Sequence, residues 1–174
     1  MSARPETKID CSKVYVKQSS FSNEQTGMFD GAFAAVDIKE GELVEKGVMR
    51  RLPDGFDGNT CPYIFTWSTE RPNKVNMIRF EATQTGDACA LGLSGTWGMG
   101  SGCSPFYNTC KEGTANTHMV RHFDEDRFEI YATRDIKAGE ELLHTYISLK
   151  WRTCFQELSE IVHADDSEHK SEES

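Results

Sequence analysis

The order of apolar and polar residues near the N-terminus indicates short β-strands separated by turns. Residues 13–19 alternate, with Val14 and Val16 between polar neighbours, which predicts a half-buried strand. After a turn-rich stretch at 22–31, further strands are predicted at 32–38 and 43–49. Short strands joined by glycine-containing turns favour small antiparallel sheets over alternating β-α-β units.

The middle of the chain alternates between aromatic strand candidates and loops. Residues 50–62 are rich in proline, glycine, asparagine and aspartate, which predicts a loop. Residues 61–67 and 73–84 carry aromatic and β-branched residues and are predicted strands. The stretch at 92–108 is rich in glycine, so we expect a loop there, with an insertion at about 94–105, rather than a regular element.

The C-terminal part combines one more strand pair with a helix. Residues 127–146 are predicted to form a strand, a turn at 137–139 and a second strand. Residues 151–162 predict an amphipathic helix that ends near His163, since their apolar residues recur at helical spacing. The pattern therefore predicts one mainly β domain at 12–162, between a flexible leader at 1–11 and a disordered acidic tail at 163–174.

Composition and charge narrow the class of protein. The 174 residues, 37% of them hydrophobic, fit one globular domain. No apolar run approaches the roughly 20 residues of a membrane-spanning helix, and the N-terminus lacks an apolar signal-peptide core, so we expect an intracellular protein without a membrane partner. The net charge of −9 argues against direct nucleic-acid binding. It is compatible with attraction of a basic substrate, although acidity alone also keeps a protein soluble.

The cysteines do not have the spacing of a metal site. A structural zinc ion usually takes ligands in closely spaced pairs, and the chain contains no C-x-x-C. We therefore expect no bound metal and free thiols. The six cysteines are Cys11, Cys61, Cys89, Cys103, Cys110 and Cys154.

Three segments carry the candidate chemistry. The first, at 30–44, has the sequence DGAFAAVDIKEGELV. The second, at 85–93, is TGDACALGL, followed by FYNTC at 106–110 and by Asn116. The third, at 127–146, is RFEIYATRDIKAGEELLHTY. In this order the segments resemble the SET domain, and the third is the most diagnostic of them.

The resemblance implies a fold and an activity. The fold would be a SET domain, with several small antiparallel sheets around a pseudoknot and a C-terminal amphipathic helix. The activity would be protein-lysine methylation with S-adenosylmethionine, on a histone tail (H3 favoured) or another basic peptide, and nuclear if the substrate is a histone. Without paired cysteines no pre-SET or post-SET zinc cluster is expected, as in the small free-standing viral and bacterial-style members.

The resemblance also assigns roles to individual residues. Tyr146 would be catalytic, with its hydroxyl facing the transferred methyl group and the target nitrogen. Pattern alone leaves Tyr146 as a core residue at a strand end, and Asn108 as a turn residue. Residues 144, 146 and 151 would line the substrate channel. The expected cofactor-binding residues are Met28, Asp30, Gly31, Ala32, Tyr63, Asn108, Thr109 and Trp151.

The chain departs from the family pattern at several positions. Phe29 replaces the first glycine of the cofactor strand, and Thr109 and Cys110 stand where histidine and serine are usual. His144 occupies a position, two residues before the catalytic tyrosine, where relatives carry Phe or Tyr and where that choice biases the number of methyl groups added. The alternative interpretation is therefore a catalytically weak or inactive SET-fold binding module for a peptide or partner protein. A homodimer contact is also suggested by apolar residues on the glycine-rich segment, namely Trp97, Met99 and Phe106.

Overall fold

A computed structural model describes residues 6–24, 27–53, 56–67, 97–109, 113–149 and 152–160 of the chain. Strands dominate these residues, which confirms the predicted mainly β fold. A short helix at 156–160 follows a 3-10 turn at Thr153–Phe155. The strands are β1 (Val14–Gln18), β2 (Asp30–Ala34), β3 (Leu43–Arg51), β4 (Phe65–Thr66), β5 (Trp97–Gly100), β6 (Thr117–His122) and β7 (Arg127–Ala132).

The strands of the described residues form two antiparallel sheets. β1 and β2 make a two-stranded sheet in which Val14 pairs with Ala34 and Gln18 with Asp30. The other five strands lie in the order β4-β5-β3-β7-β6. A register shift between Leu43 and Glu45 marks a bulge where β3 pairs with β7. Because a bulge re-aims the side chains beside it, Val44 and Glu45 are both buried although they are consecutive in a strand.

The segment after the predicted 137–139 turn passes between two other parts of the chain. On one side, the amide of Leu142 donates to the carbonyl of Ala32 in β2 (2.8 Å). On the other side, the carbonyl of Leu143 accepts from the amide of Thr117 in β6 (3.1 Å), and the amide of His144 donates to the carbonyl of Asn108 (2.8 Å). The second strand predicted within 127–146 is wrong, because this segment makes only isolated bridges, in which each neighbour pairs with one or two of its residues.

The hydrophobic core lies between the five-stranded sheet and this threaded segment. It joins side chains from β3 and β7 to residues of the turns at 36–38 and 134–136, and to the threaded segment itself. The fully buried large apolar side chains are Trp67, Phe128, Ile38, Ile130, Ile136 and Leu142. The threaded segment is therefore held on both edges by main-chain hydrogen bonds and packed on one face by the core.

The glycine-rich stretch differs from its prediction as a loop. Trp97–Gly100 is strand β5, which pairs with β3 on one side and β4 on the other. Gly98 lies so close to β3 that a Cβ on it would come within 2.5 Å of the Cγ of Met49. A residue that local propensity disfavours in a strand is here required by tight packing between strands, so tertiary contacts outweigh propensity.

Other predicted elements are corrected in their extent. Val16 lies in a strand as predicted, but it is exposed rather than half-buried. The aromatic run at 61–67 contributes only the two residues of β4, and β6 was not predicted. The C-terminal helix starts after Arg152, whose backbone is extended (φ −84°, ψ 132°), rather than at residue 151. The predicted strands at 73–84 lie outside the described residues.

The predicted domain limits are only partly covered by the structure. Position 151 and residues 161–174, which include the predicted end of the helix and the acidic tail, lie outside the described residues. The domain limits of 12–162 and the insertion at about 94–105 stay predictions. None of the helices among the described residues has the length and apolar composition to cross a membrane.

Candidate active site

The extended segment at 107–109 runs beside the threaded segment and holds Tyr146 at two points. The hydroxyl of Tyr146 donates to the carbonyl of Tyr107 (2.8 Å). The amide of Tyr146 donates to the Oγ1 of Thr109 (3.3 Å). The amide of His144 also donates to the carbonyl of Asn108, so each of the residues 107–109 hydrogen-bonds to either His144 or Tyr146. The orientation of the phenol is thus fixed by the main-chain carbonyl of Tyr107 and the side-chain oxygen of Thr109.

Tyr146 is a neutral hydroxyl at physiological pH. Burial raises the pKa of Tyr146 to about 12, against a lowering effect of the nearby Arg152 charge. The ring packs at a tilt against Phe155, with centroids 5.2 Å apart. Since the single hydroxyl proton is donated to Tyr107, the lone pairs of the oxygen are left to face a substrate. The group can accept or orient, but it is unsuited to act as a base.

The side-chain amide of Asn108 has one possible orientation in its surroundings. Its Nδ2 donates to the main-chain carbonyl of Asp30 (3.1 Å) and to the Oε1 of Glu141 (3.0 Å). Both partners are acceptors, so the NH₂ group must face them and the carbonyl Oδ1 must face away. No described residue donates to this Oδ1. Asn108 therefore presents a hydrogen-bond acceptor toward the space beside β2.

Glu141, which the sequence analysis did not single out, fixes that orientation. Besides Asn108, its carboxylate accepts from the Oγ of Ser19 (2.7 Å), the amide of Ser20 (2.8 Å) and the Oγ of Ser20. Burial alone would raise the pKa of Glu141, but the hydrogen bonds from Ser20, Asn108 and Ser19 outweigh it, and the pKa lies below the usual value. The carboxylate is ionised at neutral pH. The only sequence cue to it was a second consecutive glutamate directly before two leucines.

Gly31 is required by the close approach of these groups. A Cβ on Gly31 would lie 2.2 Å from the Oε1 of Glu141 and 3.1 Å from the Nδ2 of Asn108. Any side chain would therefore displace the carboxylate or the amide. The neighbouring Ala32 is fully buried, and its carbonyl is engaged by Leu142. Gly31, Asp30, Asn108 and Glu141 form one contiguous cluster.

His144 lies in a neutral form with a defined tautomer. Burial lowers the pKa of His144 to about 4, with further lowering by the charges of Arg121 and His118. Its Nδ1 lies 3.3 Å from the Oγ1 of Thr117, whose own proton is donated to the carbonyl of Leu143 (2.7 Å). The Thr117 oxygen must then accept, so Nδ1 carries the proton and Nε2 is an acceptor to which no described residue donates.

Two of the expected site residues are not joined to this cluster in the part of the chain that the structure describes. Met28 is 71% exposed beside β1, within 4.0 Å of the Nε2 of Gln18. Tyr63 is 64% exposed on a turn before β4, so its interpretation as a strand aromatic is wrong, and no described hydrogen bond or ring contact links it to Asn108 or Tyr146. Trp151 lies outside the described residues.

Arg152 is a further residue that the sequence analysis missed. Its buried guanidinium donates to the carbonyls of Ile64 (3.0 Å), Gly58 (2.6 Å) and Cys61. It also lies over the rings of Trp97 (5.0 Å) and Phe155 (4.7 Å). Arg152 thereby fastens the C-terminal helix and the 58–64 loop next to Tyr146.

The donor set of this region is not that of a metal centre. Among the residues that the structure describes, no group of three or more histidine, cysteine, aspartate or glutamate side chains could hold a metal ion. The four cysteines described, at positions 11, 61, 103 and 154, are free thiols. The expectation of no bound metal stays a prediction for the whole chain.

The chain is similar to several solved structures. A candidate histone methyltransferase of Plasmodium falciparum is 15% identical over 78% of this chain and 97% of its own, with a TM-score of 0.48. ATXR5, solved in complex with a mono-methylated histone H3.1, is 19% identical over 79% of this chain and 58% of its own (TM-score 0.49). The polycomb repressive complex 2 of Chaetomium thermophilum is 22% identical over 76% of this chain but only 15% of its own (TM-score 0.44).

The sequence itself identifies the family. No curated protein matches it. The family model of the SET domain matches residues 30–147, which span the β2 strand, the 107–109 segment and Tyr146 and make up more than half of the chain. The protein therefore belongs to the SET-domain family.

Proposed function

We propose that the protein is an S-adenosylmethionine-dependent protein-lysine N-methyltransferase. One observation carries the proposal: the 107–109 segment binds the Tyr146 hydroxyl and also presents the free amide oxygen of Asn108. The backbone of this segment thus connects the residue expected to orient the reacting groups with the residue expected to bind the cofactor, whose amide is oriented by Asp30 and Glu141. Methyl transfer needs little beyond such alignment and the exclusion of water.

The cluster around Asn108 fits the methionine part of the cofactor. A free Oδ1 beside an ionised Glu141 suits an ammonium group. Gly31 has no side chain, which lets Glu141 and Asn108 pack against β2 and fixes the amide that would face the ligand. When bound, the cofactor supplies a methyl group on a positively charged sulfur. Asn108 and Gly31 would hold it together with the main chain of Asp30 and Thr109, whereas the roles of Met28, Tyr63 and Trp151 stay predictions.

Tyr146 and His144 would handle the target amine. A lysine side chain is mostly protonated at neutral pH and must lose a proton before it reacts. A channel of half-buried aromatic groups favours the neutral amine by desolvation. The Tyr146 oxygen, with its proton given to Tyr107, then accepts from the amine and attracts the electron-poor methyl group. The free Nε2 of His144 offers a second acceptor for an amine proton or a water molecule.

The substrate is proposed to be a basic peptide, with a histone H3 tail favoured. The chain carries a net charge of −9, which attracts a cationic segment through the field of the whole protein. A histone substrate would place the protein in the nucleus. A homodimer through the glycine-rich segment stays a proposal; Met99 and Phe106 are exposed there, whereas Trp97 is half-buried under Arg152. Sedimentation at micromolar concentration tests it, and a monomer would contradict it.

The test is methyl transfer measured by mass spectrometry on H3 and H4 peptides. Tyr146→Phe removes one hydroxyl and is expected to lower kcat about 10²-fold, because that oxygen acts on the transition state. Tyr131→Phe is the matched control, since its hydroxyl donates to Glu129 in the same strand β7 and no described hydrogen bond joins it to Tyr146 or Asn108. An unchanged rate in Tyr146→Phe would refute its assignment. Cofactor binding by calorimetry without any transfer would instead support the binding-module alternative.

A further inference from the structure

Glu45 is a buried carboxyl group that the proposed chemistry has not used. It is 1% exposed, in strand β3, where the bulge after Leu43 turns it inward beside Val44. Its Oε1 accepts from the amide of Cys103 (2.8 Å), and its Oε2 accepts from the hydroxyl of Tyr107 (2.9 Å). Tyr107 is itself 3% exposed. A strand residue distant in sequence therefore holds both ends of the turn that leads to Asn108.

No described cation compensates the charge of this carboxyl group. The titratable groups that face it are Asp10 and Cys11 from the N-terminal segment, and Cys103 and Tyr107 from the turn. The adjacent Lys46 in β3 is directed outward, 3.6 Å from Glu6. Desolvation raises the pKa of Glu45 to about 7, and its hydrogen bonds only partly oppose that rise. A buried carboxylate without an ion pair lowers stability, so stability does not account for it.

The same tyrosine connects Glu45 to the methyl-transfer residue. The side chain of Tyr107 is held by Glu45, and its main-chain carbonyl accepts the hydroxyl of Tyr146 (2.8 Å). We propose that Glu45 is a positioning residue for methyl transfer, which acts through Tyr107 to fix the carbonyl that orients the Tyr146 hydroxyl. This inference rests on the proposed function and deepens it.

The physical reason is that methyl transfer tolerates only small errors in the alignment of the reacting groups. A misplacement of about 1 Å in an orienting group lowers the rate of such a step by as much as about 10²-fold. The Tyr107 carbonyl follows a 3-10 turn at Ser104–Phe106, whose end is fixed by the phenol and whose start is fixed by the amide of Cys103. Without Glu45 both anchors are lost together, and the carbonyl at the end of the turn is free to rotate.

The experiment is a double-mutant cycle with Glu45→Gln and Tyr107→Phe. Each single variant is expected to lower kcat about tenfold, with the Kd for S-adenosylmethionine unchanged within about twofold. If Glu45 acts through Tyr107, the double variant is no slower than either single one. Glu42→Gln, which changes a half-buried carboxylate paired with Lys13 just before β3, is the matched control and keeps full activity. Independent, multiplying losses, or an unchanged kcat in both singles, would overturn the proposal.

A second measurement separates this inference from the proposed function. The ¹³Cζ NMR resonance of Tyr146, assigned by its loss in Tyr146→Phe, reports on the hydrogen bond of its hydroxyl without any turnover. It is expected to shift in Glu45→Gln and Tyr107→Phe and to stay in place in Glu42→Gln. If the wild-type protein transfers no methyl group, the proposed function fails and this shift alone decides the positioning role. An unmoved resonance in a folded Tyr107→Phe protein would refute it.

Discussion

The buried Glu45 makes a quantitative prediction about stability and pH. Folding raises the pKa of Glu45 from 4.5 to about 7, chiefly because the charged form is removed from water. The folded state therefore binds the proton more tightly than the unfolded chain. The stability that this proton contributes is fully present below pH 4.5 and is lost as the pH rises through about 7. At roughly 1.4 kcal/mol for each pKa unit, the whole contribution is about 3 kcal/mol.

The assay is urea unfolding followed by tryptophan fluorescence at intervals between pH 5 and 8. Replacement of Glu45 by Gln removes the titration while keeping the size of the side chain. The free energy of unfolding of the wild type minus that of the Gln variant is expected to fall by about 2–3 kcal/mol across this range. Taking the difference between the two proteins cancels the titrations that they share.

The matched control is Glu42→Gln. The hydrogen bond from Lys13 lowers the pKa of Glu42, so any stability it contributes is lost only as the pH falls below about 4.5. Its difference from the wild type should be flat from pH 5 to 8. The difference in free energy of unfolding between the wild type and Glu45→Gln could also stay constant within about 0.5 kcal/mol from pH 5 to 8. That result would show that the Glu45 carboxyl group is solvated and that its burial does not lower stability.

Three further substitutions test other parts of the site. Gly31→Ala should weaken cofactor binding in calorimetry by at least about tenfold, since its Cβ would meet Glu141 at 2.2 Å; unchanged affinity would contradict the cluster. His144→Phe removes the Nε2 acceptor and should raise the highest methylation state seen by mass spectrometry. An unchanged methylation state would contradict the role proposed for His144. Arg152→Lys replaces the planar guanidinium, whose two terminal nitrogens reach three separate carbonyls, by a single nitrogen and should lower the free energy of unfolding by about 2–3 kcal/mol in urea titrations.

Local patterns predicted strands that pair over several consecutive residues, whether the partner is close along the chain, as for β1 and β2, or distant, as for β3 and β7. β1, β2, β3 and β7 follow from alternation and turns, because each pairs with a neighbour through many consecutive residues. β5 was missed because its glycines are disfavoured in strands until β3 and β4 enclose them. The second half of 127–146 failed as a strand because its partners lie in three separate segments, which no local pattern encodes.

The site residues could be predicted where the resemblance to the SET domain assigns them a role. The motif residues Gly31, Asn108 and Tyr146 came from the family pattern, and the structure brings them near one another along the threaded segment. The residues that orient these motif residues, such as Glu141, did not come from the family pattern. Glu141 is bound by Ser19 and Ser20, which are 122 and 121 positions away. Ser19 ends a predicted strand and Ser20 follows it, so neither hydroxyl carries a local sign of a partner so far along the chain.

The two buried carboxyl groups of the site differ in the direction of their pKa shifts, and this separates cofactor binding from methyl transfer. Glu141 accepts four hydrogen bonds, which keep its pKa low, whereas Glu45 is more deeply buried and titrates near pH 7. Because Glu141 stays ionised, the Asn108 amide keeps its orientation, and the Kd for the cofactor should not change between pH 5.5 and 7. Calorimetry over that range checks this, with Glu141→Gln as the variant expected to bind more weakly. A tenfold change in the wild-type Kd would show that Glu141 is not the group that holds Asn108.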